Sequence, residues 1–196
     1  MNLICGVDEA GRGPLAGPVI AAAVITDPGF VIDGLRDSKQ LSPSARLLIV
    51  SEIMAKAKGY AIAAVSCRII DKINILQASL LAMRTAIEKL PIEPEIILVD
   101  GNRLVPGIDR PQQAIVHGDR LIPQIAAASV LAKVARDAHM IAIADMYPEY
   151  GFERHKGYCT QAHLAALNRF GPCPIHRRSF APVAQLFIRE QAWPVF

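Results

Sequence analysis

Cysteine is scarce and unpaired in this sequence. Cys5, Cys67, Cys159 and Cys173 are the only four, and no two of them stand in a CxxC spacing. The spacing rules out a zinc ribbon and the scatter offers no disulfide framework, so a reduced, cytoplasmic setting is expected. Long apolar runs are missing too: nothing approaches the ~20 residues that a membrane helix needs. The acids Asp8 and Glu9 come too early for the apolar core of a signal peptide. Excess charge of either sign is also lacking, since 21 Lys+Arg against 18 Asp+Glu leave only +3. Such mild basicity permits a nucleic-acid partner without announcing one. Repeats, linkers and low-complexity segments do not occur. What remains is a chain of 196 residues, 52% hydrophobic, long enough to bury a core of its own. Residues 1–196 are expected to fold as one domain with no membrane contact.

The hydrophobic pattern alternates between two periods. Residues 3–7 and 19–25 are short apolar runs rich in β-branched and small side chains, joined by a glycine-rich connection, and read as neighbouring strands. Ser42 and Pro43 give an N-cap and a first helical residue, and Gly59 is expected to close that helix. A strand over 60–66 and a helix over 74–90 follow, the helix closed by Pro91. Residues 95–99 form a compact apolar strand that delivers Asp100 at its C-terminal end, and 114–117 read as one more strand. An alanine-dominated segment, 122–146, predicts a long helix buried along one side, followed by helices over 160–170 and 185–189. The alternation describes an α/β domain with a central mixed β-sheet flanked by helices, and a C-terminal helical extension from about residue 150.

The acids carry the chemistry. Asp8 and Glu9 are adjacent at a strand end, Asp100 closes another strand, and Asp119 sits in a turn before the long helix. Any one of them alone would be an ordinary solvated cap or turn residue. Four carboxylates meeting at one sheet edge repel each other unless a cation lies between them. With no histidine or thiol in these motifs, the site is a hard oxygen site suited to Mg2+ or Mn2+. Gly11-Arg12-Gly13 adds a backbone free of Cβ atoms and a guanidinium suited to phosphate. A GxGxxG dinucleotide loop is excluded by Pro14, by the spacing to Gly17 and by the two preceding carboxylates. The basic residues Arg154, Lys156, Arg169, Arg177 and Arg178 crowd the last third, as a phosphate-binding surface beside a metal site would require. One rival cluster, His155, Cys159 and His163, has helical spacing for zinc, but Gly157 weakens a helix there and no fourth ligand is evident.

Seven ordered segments, GVDEAGRGPLAGPV at 6–19, DSKQLS at 37–42, NIL at 74–76, LVDGN at 98–102, GD at 118–119, AAASVLAKVARD at 126–137 and HKGY at 155–158, together resemble bacterial ribonuclease HII, of the type II RNase H family. The resemblance runs from about residue 3 to about residue 182. It implies an RNase H-like fold and an endoribonuclease that cuts the RNA strand of RNA–DNA hybrids and the 5′ side of single ribonucleotides in DNA. Its products carry 3′-hydroxyl and 5′-phosphate ends. It further implies that Asp8, Glu9, Asp100 and Asp119 hold two Mg2+ or Mn2+ ions, and that Gly11, Arg12, Gly13 and Tyr158 read the ribonucleotide. Lys39, Lys156 and Arg177 would then touch phosphates. The partners implied are RNA–DNA hybrid and ribonucleotide-containing DNA, bound by a monomer, while Trp193 and Phe196 near the end are free to dock a partner or to cover the core. Two alternatives stand beside this reading: a four-acid exonuclease, which normally spaces its first two acids by one residue, and a catalytically silent nucleic-acid-binding relative.

Overall fold

The computed structural model describes residues 3–35 and 42–191. Lys39, Trp193 and Phe196 lie outside the described residues. Five strands form one mixed sheet: β1 (Ile4–Ala10), β2 (Val19–Thr26), β3 (Gly59–Val65), β4 (Ile96–Asp100) and β5 (Gln112–Ile115), in the spatial order β3-β2-β1-β4-β5. β2 runs antiparallel to β1 and β3, whereas β1, β4 and β5 are parallel. All eight residues of β2, VIAAAVIT, are buried. A strand this apolar, with only β-branched and small side chains, has to be covered on both faces.

The covers are helices. On one face lies α2 (Cys67–Glu88), whose Ile70, Leu80, Met83 and Ile87 pack with Cys5, Val7 and Ile97. The other face meets α4 (Pro123–Ala144) and α1 (Pro43–Lys56), where Ala126, Ala127, Ala128 and Ile53 join Ala22 and Val24. Alanine on α4 allows the helix backbone to lie almost on β1. A Cβ built on Gly6 would stand 2.1 Å from the backbone carbon of Gln124. Gly6→Ala is therefore expected to destabilise the fold by about 3 kcal/mol or more, because the obstacle is main chain and cannot rotate away. Urea unfolding measures this, and an unchanged midpoint would show that α4 slides freely.

Several boundaries differ from the sequence reading, each for a local reason. β1 continues through Asp8 and Glu9 to Ala10, so the acids sit within the strand and not beyond it. Ser42 does cap α1, its hydroxyl accepting from the Ala45 N–H at 3.2 Å, but Gly59 begins β3, and the helix ends at Lys56. α2 starts at Cys67, and Asn74 interrupts it with φ 66° and ψ 166°. The Asn74 side chain accepts from the N–H groups of Leu76 and Gln77, capping the second half of the helix. Asp119 lies not in a plain turn but on a single helical turn, α3 (Gly118–Leu121), entered through His117 in the left-handed region at φ 57°.

Beyond α4 come a 3-10 turn (Pro148–Tyr150), α5 (Phe152–His155), α6 (Gln161–Phe170) and α7 (Ala181–Gln191). These elements close around Leu15 and Ala16 of the glycine-rich connection, through Tyr150 and Phe152 on one side and Leu167 and Val183 on the other. Main-chain bonds fix the same segment: Leu15 N–H to the Gly157 carbonyl at 2.8 Å, Gly17 N–H to Ile175 at 2.9 Å, and Arg177 N–H to Leu15 at 2.8 Å. The C-terminal elements thus clamp the connection that follows Asp8 and Glu9. No helix among the described residues is long and apolar enough to cross a membrane.

Candidate active site

Parallel pairing sets the site. Val7 of β1 is in register with Val99 of β4, so the next residues, Asp8 and Asp100, emerge side by side at the carboxyl edge of the sheet, the edge where open α/β sheets bind ligands. Asp8, Glu9, Asp100 and Asp119 all line one cleft of about 490 Å³, together with Gly11 and Tyr158. Asp8 is 5% exposed and accepts from the Glu9 N–H at 2.7 Å and from the Ser129 hydroxyl. Burial, and then repulsion from Glu9 and Asp100, push its carboxyl well above the ordinary range. Burial also raises Glu9, against the pull of the Arg12 guanidinium 3.2 Å away. Asp119 joins the group through α3, its N–H donating to Asp100 Oδ1 at 3.2 Å. Among the described residues no three acidic, histidine or cysteine side chains converge closely enough to hold an ion as they stand. The four acids face a common cleft; they do not form a closed coordination sphere. Their chemistry still fits a hard divalent cation, which would replace mutual repulsion with attraction.

Gly11 shapes the wall. It is buried with φ 97°, and a Cβ there would meet Arg136 Nε at 2.1 Å, so only glycine fits. Arg12 and Gly13 are exposed beside the cleft and Lys156 is half-buried, none of them lining it. Arg177 corrects the expectation of a phosphate contact: it is fully buried. It donates to the carbonyls of Gly17 at 3.0 Å, Arg12 at 2.9 Å, Gly11 at 2.6 Å and Pro18 at 3.1 Å. Burial, with Arg136 adding to it, lowers this guanidinium to about 9. Arg136, equally buried, donates to Pro18 and Ala16, both at 3.1 Å, and lies 5.7 Å from the centre of the Tyr158 ring. Two arginines thus gather the carbonyl groups of loop 11–18 inward.

The cleft contains residues that the sequence reading did not single out: Arg46, His117, Arg120, Ser129 and Lys133. Lys133 pairs with Asp137 at 2.7 Å and stands 5.6 Å from the Tyr158 ring centre. A signal for it existed, because Ser129, Lys133 and Arg136 are polar residues at i, i+4 and i+7 of a largely apolar helix, and so share one face. The zinc alternative does not form. Cys159 is exposed, His155 and His163 stack with centroids 4.5 Å apart, and their nitrogens are taken by other partners.

Comparison with known proteins bears directly on this cleft. The family model described as Ribonuclease HII matches residues 5–183. A ribonuclease HII from Nitrosospira multiformis is 56% identical over 188 residues, covering 96% of this chain and 94% of its own length. Among solved structures, the ribonuclease H2 from Pyrococcus horikoshii superimposes with a TM-score of 0.81 at 26% identity, over 97% of this chain and 100% of that one. Bst-RNase HIII in complex with Mn2+ shares the fold at a TM-score of 0.71 and 19% identity, over 96% of this chain and 70% of that one. With the family pattern spanning the sheet, the acids and the C-terminal clamp, this chain belongs to the ribonuclease HII family of RNase H endonucleases.

Proposed function

We propose that this chain cleaves the RNA strand of RNA–DNA hybrids and nicks duplex DNA on the 5′ side of a single embedded ribonucleotide, using two Mg2+ or Mn2+ ions. The observation that carries this reading is one cleft lined by Asp8, Glu9, Asp100 and Asp119 together with Gly11 and Tyr158. Asp8, Glu9, Asp100 and Asp119 would hold the ions, which would supply Lewis acidity to activate a water and positive charge to offset the scissile phosphate. The Mn2+ complex of Bst-RNase HIII supports this choice of metal. Water as nucleophile leaves a 3′-hydroxyl and a 5′-phosphate.

The chain's own residues select the substrate. The 2′-hydroxyl is the group that separates RNA from DNA at a given position, and the Gly11-Arg12-Gly13 main chain, with the Gly11 and Arg12 carbonyls turned toward Arg177, leaves other polar groups for that contact. The Tyr158 ring, 41% exposed, offers a flat surface to the sugar and base that follow. Lys39 and Lys156 are assigned to flanking phosphates. The adjacency of Asp8 and Glu9 disfavours the exonuclease alternative, and four repelling carboxylates disfavour a silent binder.

A labelled duplex with one ribonucleotide tests this, incubated with Mg2+, with Mn2+ and with chelator beside an all-DNA control. A metal-dependent cut on the 5′ side of the ribonucleotide is expected, and digestion of the all-DNA strand from its end would transfer the protein to the exonucleases. Tyr158→Ala is expected to slow that cut roughly 10- to 100-fold, the size of one lost stacking contact of about 1–3 kcal/mol. Its melting temperature should fall by only a few degrees, because the residue is already 41% exposed.

A further inference from the structure

Behind Tyr158 stands a chain of three histidines that the proposed reaction does not use. His163 and His176 are buried at 0% and 2% exposure, and His155 is half-buried. A backbone N–H only donates and a carbonyl only accepts, so the partners fix each ring's tautomer. His155 Nε2 donates to the Tyr150 carbonyl at 2.8 Å, and its Nδ1 accepts from the Gly157 N–H at 3.2 Å. His163 Nδ1 donates to the Tyr158 carbonyl at 2.9 Å. His176 Nδ1 accepts from the Cys173 N–H at 3.0 Å, which leaves its Nε2 hydrogen to bridge the 3.0 Å to His163 Nε2. A single assignment, with three neutral rings, satisfies all of these contacts. Burial favours the same state, lowering His163 and taking His176 down to about 4.

The turn they hold needs holding. Lys156 and Gly157 are both left-handed, at φ 51° and 81°, and for lysine that conformation is strained. The Gly157 carbonyl accepts from Leu15, which ties the turn to loop 11–18. Tyr158 donates its N–H to the His155 carbonyl at 2.8 Å, and its own carbonyl accepts from Thr160 N–H at 2.8 Å as well as from His163. Its main chain is therefore pinned from the interior while its ring lines the acid cleft.

We propose that His163, buttressed by His176, is a positioning residue for substrate recognition: its bond to the Tyr158 carbonyl sets where the tyrosine stands in the cleft it shares with the acids, and thereby the chain's response to a single ribonucleotide. The inference rests on the assignment of Tyr158 to ribonucleotide recognition made above.

Two substitutions separate the two bonds of the buried ring. An asparagine amide reaches the Nδ1 position and keeps a donor for Tyr158, whereas a glutamine amide reaches the Nε2 position and meets only His176. On a duplex with one ribonucleotide, His163→Gln is expected to lose roughly 10-fold or more in kcat with KM little changed, as a misplaced contact does. His163→Asn is expected to stay within about 3-fold of the parent. In a Tyr158→Ala background His163→Gln should cost at most about 2-fold more, since no ring remains to be misplaced. Equal behaviour of the Asn and Gln variants, or fully additive losses in the double variant, overturns the positioning role. Parental cleavage by Tyr158→Ala alone overturns the recognition reading instead. Should either histidine variant fail to fold, imidazole 15N spectra of the unmodified protein at neutral pH decide. His163 protonated at Nδ1 and His176 at Nε2 support the chain, and the opposite tautomer on His163, or a charged ring, overturns it.

Discussion

Asp8→Asn is expected to abolish cleavage, by at least about 1,000-fold, while raising the melting temperature of the metal-free protein at neutral pH. The two effects share one cause. In the fold the Asp8 carboxyl is buried beside Glu9 and Asp100, so it titrates well above the ordinary 3.8 of an aspartate. The folded state then binds the proton more tightly than the unfolded chain does. The stability that this provides is complete below pH ~4 and is lost as pH rises through the raised value, so at pH 7 the carboxylate opposes folding. Asparagine keeps the shape and an oxygen for the Glu9 N–H but brings no charge. A gain of a few degrees follows at pH 7, each kcal/mol moving the melting temperature by about 2–4 °C at this size, and the gain should close in acid. Added Mn2+ should reverse the ranking. A ligand at 100 times its Kd stabilises by about 2.7 kcal/mol, and the parent, with all four carboxyl groups present, should gain more than the variant. Thermal melts in chelator and in Mn2+, run beside the cleavage assay, measure all three. A lower melting temperature for Asp8→Asn in chelator at pH 7, or turnover retained with Mg2+, would break the link between buried repulsion and metal capture.

The acids were legible in the sequence because their signal is local. A hydrophobic run that meets charge marks the carboxyl end of a strand, as at Asp100 and, within its last residues, at Asp8, whereas the turn expected at Asp119 is the first turn of α3. Long helices with a continuous buried face, α4 above all, are equally visible. What the sequence conceals is burial, which is decided by distant chain. Arg177 lies among prolines and polar residues, and its composition is that of a surface; only the return of the C-terminal segment onto loop 11–18 buries it. Asn74 looks like the start of a helix and is the cap of a second segment, because Ile70 and Ile73 before it are β-branched and weak helix formers, held in α2 by packing. The same holds for the histidines. At positions 155, 163 and 176 no spacing announces that three rings meet, and their neutral state follows from main-chain partners that appear only in the fold.

Arg177→Met is expected to destabilise the protein by about 4 kcal/mol or more, which at this size lowers the melting temperature by roughly 8–16 °C. Methionine fills much of the volume and donates nothing, so the carbonyls of Gly11, Arg12 and Gly17 lose a donor together, while Pro18 keeps its bond from Arg136. Each buried acceptor left unmade costs about 1–3 kcal/mol, less than additively because the loop relaxes and water enters. Arg177→Lys should resemble the methionine variant more than the parent. An ammonium group is a single point with three donors, whereas the guanidinium fork reaches Gly17 from Nε, Arg12 from Nη1 and both Gly11 and Pro18 from Nη2. Once the carbonyls of loop 11–18 turn outward, the Gly11-Arg12-Gly13 backbone no longer presents a fixed face to a 2′-hydroxyl. Discrimination between hybrid and all-DNA duplex should weaken even in the fraction that stays folded. A phosphate-contacting arginine behaves in the opposite way: its removal leaves stability intact, weakens binding evenly across sequences and flattens the salt dependence by about one unit of slope. Melting curves and salt-dependent hybrid binding of Arg177→Met therefore separate an arginine that builds loop 11–18 from one that touches the substrate, and the four carbonyl bonds place Arg177 in the first class.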